Sequence, residues 1–138
     1  MLIYKFLDIF FVVFHTSLIL FNCFGWILKV TRKANLVTLL LTGFSWFVLG
    51  IFFGIGFCPL TEWHFRVLEK LGHYSLPNSY IKYLADRLTG LDFNPKLVDT
   101  STAICFFTAL IISIVVNKRT IFYAIKKGVQ LFIRQNPS

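Results

Sequence analysis

The order of apolar and polar positions divides the chain into three long apolar runs separated by two unlike polar stretches. The first run covers about residues 9–28, with Lys5 and Asp8 before it and Lys29, Arg32 and Lys33 after it. The second, about 34–57, carries no charged side chain. The third, about 100–117, lies between Asp99 and the pair Lys118–Arg119. A helix needs roughly 20 residues to cross the hydrocarbon core, within a range of about 17–25, and each run fits. In lipid the backbone has no water to bond, so each run has to be helical. The first run exceeds the apolar core of about 7–15 residues typical of a cleaved signal peptide, and no small-x-small site follows it. The pattern predicts an all-α protein: a bundle of three transmembrane helices, with a short interfacial helical segment between helices 2 and 3.

That intervening segment, about 58–99, predicts two short helices. From Trp63 to Leu71, the residues Phe65, Leu68 and Leu71 share a face, with Thr61 as a candidate N-cap and Gly72 as a stop. Tyr80 to Leu88 reads as the second, capped by Asn78 or Ser79 and closed by Gly90. Asn94-Pro95 then returns the chain to the membrane. After the third run, residues 118–138 place Ile121, Ile125, Val129 and Phe132 on one stripe beside Lys126, Lys127 and Arg134. This reads as a basic amphipathic helix on the cytoplasmic leaflet, or as an extension of helix 3.

Charge sets the expected orientation. The loop after the first run and the tail are basic and lack acids, whereas 58–99 mixes five basic with five acidic residues. Positive loops stay inside, so the amino terminus and the 58–99 segment are expected outside and the carboxyl terminus in the cytoplasm. The net charge of +8 therefore implies contact with anionic lipid at the cytoplasmic face, not nucleic acid. Composition agrees: 57% of the 138 residues are hydrophobic and 14% charged, at a mean hydropathy of +0.72. A soluble domain is roughly half apolar and about a quarter charged. Such a chain takes lipid as its solvent and forms a single membrane domain over residues 1–138.

Chemistry-bearing residues inside the runs are few. Asp8, His15 and Asn22 follow one another at seven-residue intervals and so share a face of the first helix. That face has to point inward, because polar groups facing lipid are costly. His15 lies about 9 Å inside its span at ~1.5 Å per residue, a depth expected to match Gly50, Ile51 and Cys105, with Thr102 a turn away. Gly50 and Gly54 form a small-xxx-small pair through which another helix is able to approach. The densest constellation is Cys58-Pro-Leu-Thr61-Glu-Trp63-His64. The candidate polar pocket therefore comprises Asp8, His15, Asn22, Cys58, Thr61, Trp63, His64, Thr102 and Cys105.

No cofactor is predicted. The alternative is a metal held by Cys58, His64 and His73, whose spacing matches no zinc signature, or a haem, for which His15 is the one intramembrane histidine. The three cysteines include no CxxC pair, and no phosphate-binding loop, nucleophile elbow or HExxH helix is present.

Phe14-His15-Thr16 in the first span, together with Cys58-Pro59-Leu60-Thr61 and Trp63 after the second, resembles the small bacterial membrane proteins of unknown function designated DUF2784, over about residues 5–117. The resemblance implies a multi-pass protein of the bacterial inner membrane and no particular reaction. With three helices burying little interior, the expected role is an assembly or accessory subunit of a homo- or hetero-oligomeric membrane complex. A redox or metal-dependent membrane enzyme using a His/Cys site at the outer leaflet is the alternative. If the Asp8–His15–Asn22 stripe faces inward, His15→Leu should reduce membrane accumulation and complex size more than Ser17→Leu, because Ser17 lies on the far side of the helix. Immunoblots of membranes and native gels read both, and greater damage from Ser17→Leu would turn the stripe toward lipid.

Overall fold

A computed structural model describes residues 1–135. Among them are five helices and no strand: α1 (Leu2–Phe24), α2 (Arg32–Phe53), α3 (Pro59–Lys70), α4 (Tyr80–Thr89) and α5 (Pro95–Gln135). The helices α1, α2 and α5 are long and apolar enough to cross a membrane. Their outer faces carry exposed Phe6, Phe10, Leu40, Phe52 and Ile111, among others, the pattern of a bundle whose solvent is hydrocarbon.

Helix boundaries differ from those expected of hydropathy alone. α1 starts at Leu2 and so contains Lys5 and Asp8, which the sequence placed before the span. It ends at Phe24, four residues short of Leu28. α5 runs unbroken from Pro95 through the basic pair to Gln135, so residues 118–135 continue helix 3 and do not form a separate tail helix. Nothing between Asn117 and Thr120 breaks a helix, and charged side chains do not interrupt backbone bonding. At ~1.5 Å per residue α5 is about 62 Å long, well beyond a ~30 Å hydrocarbon core. Past Asn117, among the described residues, only Ile121 is even partly buried. Residues 136–138 of the expected tail lie outside the described residues.

The apolar core forms where α2 meets α5: Leu39, Phe106 and Ala109 are buried, with Trp46 and Leu110 packed against them. Trp46 and Phe106 hold their ring centroids 4.8 Å apart. At the α1–α2 turn, polar groups take over. Asn35, fully buried, donates to the carbonyls of Phe21 (2.7 Å) and Asn22 (3.2 Å), which are among the last four of α1. Gly25 makes the approach possible, since a Cβ there would stand 2.9 Å from Asn35 Nδ2 and 2.6 Å from the Phe21 carbonyl. Asn22 Nδ2 donates to Thr42 Oγ1 (3.1 Å), and Asn117 Nδ2 ties α5 to the Arg32 carbonyl (3.0 Å).

Between α2 and α3 the chain doubles back. α2 widens into a π-helical turn at Ser45–Leu49, which leaves the Trp46 carbonyl to accept Gly56 N–H (3.3 Å) while Ser45 Oγ donates to the Phe57 carbonyl (2.7 Å). Gly54 and Gly56 supply the reversal with φ of 108° and 90°, a region that side chains rarely enter. A Cβ on Gly50 would meet the Ile55 backbone at 3.1 Å. The Gly50–Gly54 pair therefore accommodates the returning chain, not a second helix as its spacing suggested.

The two short helices exist, with altered details. Cys58 precedes α3 and Pro59 opens it, so Thr61 is an interior residue and not the cap; proline is suited to the first helical position, where its missing N–H costs nothing. The buried face of α3 is His64, Val67 and Leu68, with Phe65 half-buried. Ser79 caps α4 by accepting from Lys82 N–H at 3.5 Å, and Gly90 closes it in the left-handed region. Lys82 Nζ then clasps Asp86 and Asp92, both at 2.5 Å, and Asn94 Oδ1 caps α5 through Lys96 N–H (3.0 Å).

Removing Asn35's amide takes a donor from two helix-terminal carbonyls, leaving Phe21's with the Gly25 N–H alone, so Asn35→Ala should lower stability by about 1–3 kcal/mol. Thr38→Ala, which loses only a bond to its own helix, should cost less than about 0.5 kcal/mol. Denaturation in mixed micelles measures both, and equal losses would remove the special role of Asn35.

Candidate functional site

Asp8 carries a carboxylate in the second turn of a helix that is otherwise apolar on most sides. Its side chain is only 13% exposed, and three charge-assisted bonds hold it. Arg87 of α4 grips it with both ends of its fork, Nη1 to Oδ1 at 2.6 Å and Nη2 to Oδ2 at 2.8 Å. His64 of α3 approaches Oδ1 through Nε2 at 2.9 Å. An ionised carboxylate only accepts, so Nε2 carries the His64 proton and Nδ1 is left as an acceptor. Tyr80 satisfies it, its hydroxyl donating at 2.6 Å. The result is a hydrogen-bonded series Tyr80–His64–Asp8–Arg87 that joins three helices.

Aromatic rings enclose this series. Phe11 stacks on His64 with centroids 5.3 Å apart, and His15 stacks on Tyr80 at 4.1 Å. Tyr83 accepts a bond from Arg87 Nη1, and the guanidinium also lies 5.7 Å from the Tyr83 ring centroid. His64 is fully buried and Tyr80 nearly so. Burial lowers the His64 pKa, against an opposing pull from Asp8, so the ring is neutral over a wider range than usual. Burial raises the Tyr80 hydroxyl, and the bond to Asp8 holds Arg87 firmly in its charged form.

Among the residues singled out from the sequence, the fold brings together Asp8, His15 and His64, with Cys58 beside Tyr80. It does not bring the others to them. Asn22 bonds to Thr42 at the opposite end of α1, Thr102 bonds to its own helix at Val98, and Trp63 is exposed. Thr61 sits half-buried within α3. Cys105, expected level with His15, instead neighbours Cys23, eight residues or about 12 Å further along α1. The depth comparison counted from residues 9 and 100 as a common level, whereas α1 begins at Leu2 and α5 at Pro95.

The proposed ligand set Cys58, His64 and His73 is not assembled. Both His64 nitrogens are occupied, and among the described residues no three His, Cys, Asp or Glu side chains are grouped to hold a metal. Arg87, Tyr80 and Tyr83 are the residues that sequence reading missed. Their 3- and 4-residue spacing on α4 was available, and an acid inside an apolar helix calls for a cation from elsewhere. Beside Asp8 and Arg87 lies a cavity of about 590 Å³, which His73, Tyr74, Ser75 and Tyr83 also line.

Asp8→Asn would leave Arg87 without its anion and should destabilise the fold by about 2–4 kcal/mol. His64 adds a pH dependence with a definite sign. Its folded pKa lies below the ordinary 6.5, so below that pH the unfolded chain binds the extra proton and folding loses stability. Unfolding midpoints measured between about pH 7.5 and about pH 5 should fall in the wild type, and His64→Gln should flatten the decline. An unchanged profile in the variant would remove His64 from this role.

The family model described as a protein of unknown function, DUF2784, matches residues 5–118. Neither a curated protein nor a solved structure matches the chain. The matched region takes in α1 from Lys5, α2 to α4, the whole Tyr80–His64–Asp8–Arg87 series and α5 as far as the Asn117 tie to α2. The chain belongs to the DUF2784 family.

Proposed function

We propose that this protein is a multi-pass accessory subunit of the bacterial inner membrane, acting by binding and assembly and not by catalysis. The observation that carries the reading is the closure of the buried series on itself. Both Asp8 oxygens and both His64 nitrogens are engaged by neighbouring side chains, so neither residue is left free to act as a base on a substrate. What the series does is key α3 and α4 onto α1. For the metal-dependent alternative, no group of three His, Cys, Asp or Glu side chains converges among the described residues.

Three helices leave most of their apolar surface uncovered, which supports association with further subunits as well as lipid. The basic residues Lys118, Arg119, Lys126, Lys127 and Arg134 on exposed α5 suit anionic lipid or an acidic partner. Charge bias supports the amino terminus and α3–α4 outside, and the α1–α2 turn and the end of α5 in the cytoplasm.

Orientation is testable with single cysteines on a background lacking Cys23, Cys58 and Cys105. Cysteine at Ser75 should react with an impermeant thiol reagent on spheroplasts, and cysteine at Lys33 only after lysis; both positions are exposed. The opposite pattern reverses the topology. Native mass spectrometry from gentle detergent should show an assembly, and a strict monomer in several detergents would sink the subunit reading.

A further inference from the structure

The cavity beside Arg87 has the composition of a ligand site. Its volume of about 590 Å³ falls within the roughly 300–1,000 Å³ usual for small-molecule sites. Arg87 reaches it already oriented, gripped from one side by Asp8 and bonded to Tyr83. A guanidinium has five N–H donors, and three of these are so engaged. Nε–H and the second hydrogen on Nη2 have no partner among the described residues, while the side chain is 36% exposed. The one carboxylate lining the cavity is that of Asp8, whose oxygens Arg87 and His64 cover. Around Arg87 the lining is rich in donors, with Tyr83, Ser75 and His73, and Leu68 and Leu76 supply apolar wall.

From this we infer that the cavity binds a phosphate-type oxyanion on the free edge of the Arg87 fork, and that the phosphate belongs to the headgroup of an anionic phospholipid. A planar fork with two parallel donors matches an oxyanion edge to edge. The lipid source follows from depth. Asp8 immediately precedes the uncharged apolar stretch that opens at Ile9, at the edge of the hydrocarbon that α1 crosses, and half-buried Leu76 gives an acyl chain a side to lie against. The lipid assignment rests on reading α1 as a span, whereas the oxyanion site itself does not.

The test uses the full chain in detergent, titrated with phosphatidylglycerol, phosphatidylcholine and soluble glycerol phosphate, followed by native mass spectrometry and thermal unfolding. Phosphatidylglycerol should be retained and raise the unfolding midpoint; phosphatidylcholine, whose phosphate comes with a quaternary ammonium that meets no free carboxylate in this lining, should do so far less. Ser75→Asp sets a negative charge on the cavity wall without touching the Asp8 series, and it should weaken phosphatidylglycerol binding about tenfold or more while the midpoint without lipid stays unchanged. Arg87→Lys keeps the charge and loses the fork; with Asp8 still paired, it too should lose the discrimination. Glycerol phosphate binding that Ser75→Asp abolishes, without phosphatidylglycerol retention, would uphold the oxyanion site and overturn the lipid source. Equal retention of both lipids, or binding indifferent to Ser75→Asp, would overturn the proposal. A monomer that still retains phosphatidylglycerol selectively would sink the subunit reading and leave this one standing.

Discussion

One carboxylate governs the arrangement of this protein. Asp8 sits within a helix whose neighbours are Leu7, Ile9 and Phe10, and an uncompensated charge at such a position costs several kcal/mol. Two cationic or proton-donating side chains relieve that cost, and each comes from a different helix: His64 from α3 and Arg87 from α4. Because both must reach the same two oxygens, the segment between α2 and α5 cannot lie loosely over the membrane surface. It docks along the first half of α1, carrying Tyr80 to His15 and His64 to Phe11.

The other end of the bundle is held by neutral polar groups. Asn35, Asn22 and Asn117 bind backbone carbonyls or a hydroxyl at the α1–α2 turn and across to α5. Between the two ends the α2–α5 core is small, centred on Leu39 and Phe106. A bundle whose apolar surface is already solvated by lipid gains little from burying more of it. Polar pairs therefore do a larger share of specifying which helix meets which, at both ends and with different chemistry.

The returning chain after α2 links these levels. The π-helical turn at Ser45–Leu49 and the positive φ of Gly54 and Gly56 let Phe57 come back beside Ser45. α3 consequently starts about two turns below the end of α2.

Much of this was determined by the sequence alone. Three uninterrupted apolar runs, the basic flanks, the Ser79 and Gly90 helix limits and the inward stripe of Asp8 and His15 are local or periodic properties, and periodicity survives without knowledge of partners. The boundaries were less legible, because Lys5, Asp8 and Lys118–Arg119 look like ends on a hydropathy scale yet do nothing to stop a helix. The partners of Asp8 were decided only by the tertiary structure. Arg87 stands 79 residues away and His64 56 away, and either could have faced water as an ordinary solvated residue. The placement of Cys105 beside Cys23 and the use of Gly50 by its own chain were likewise set by how the helices pack and where the chain reverses, which leave no periodic trace. A sequence records which side chains need a partner; the fold, by bringing distant turns to the same depth, chooses which one they receive.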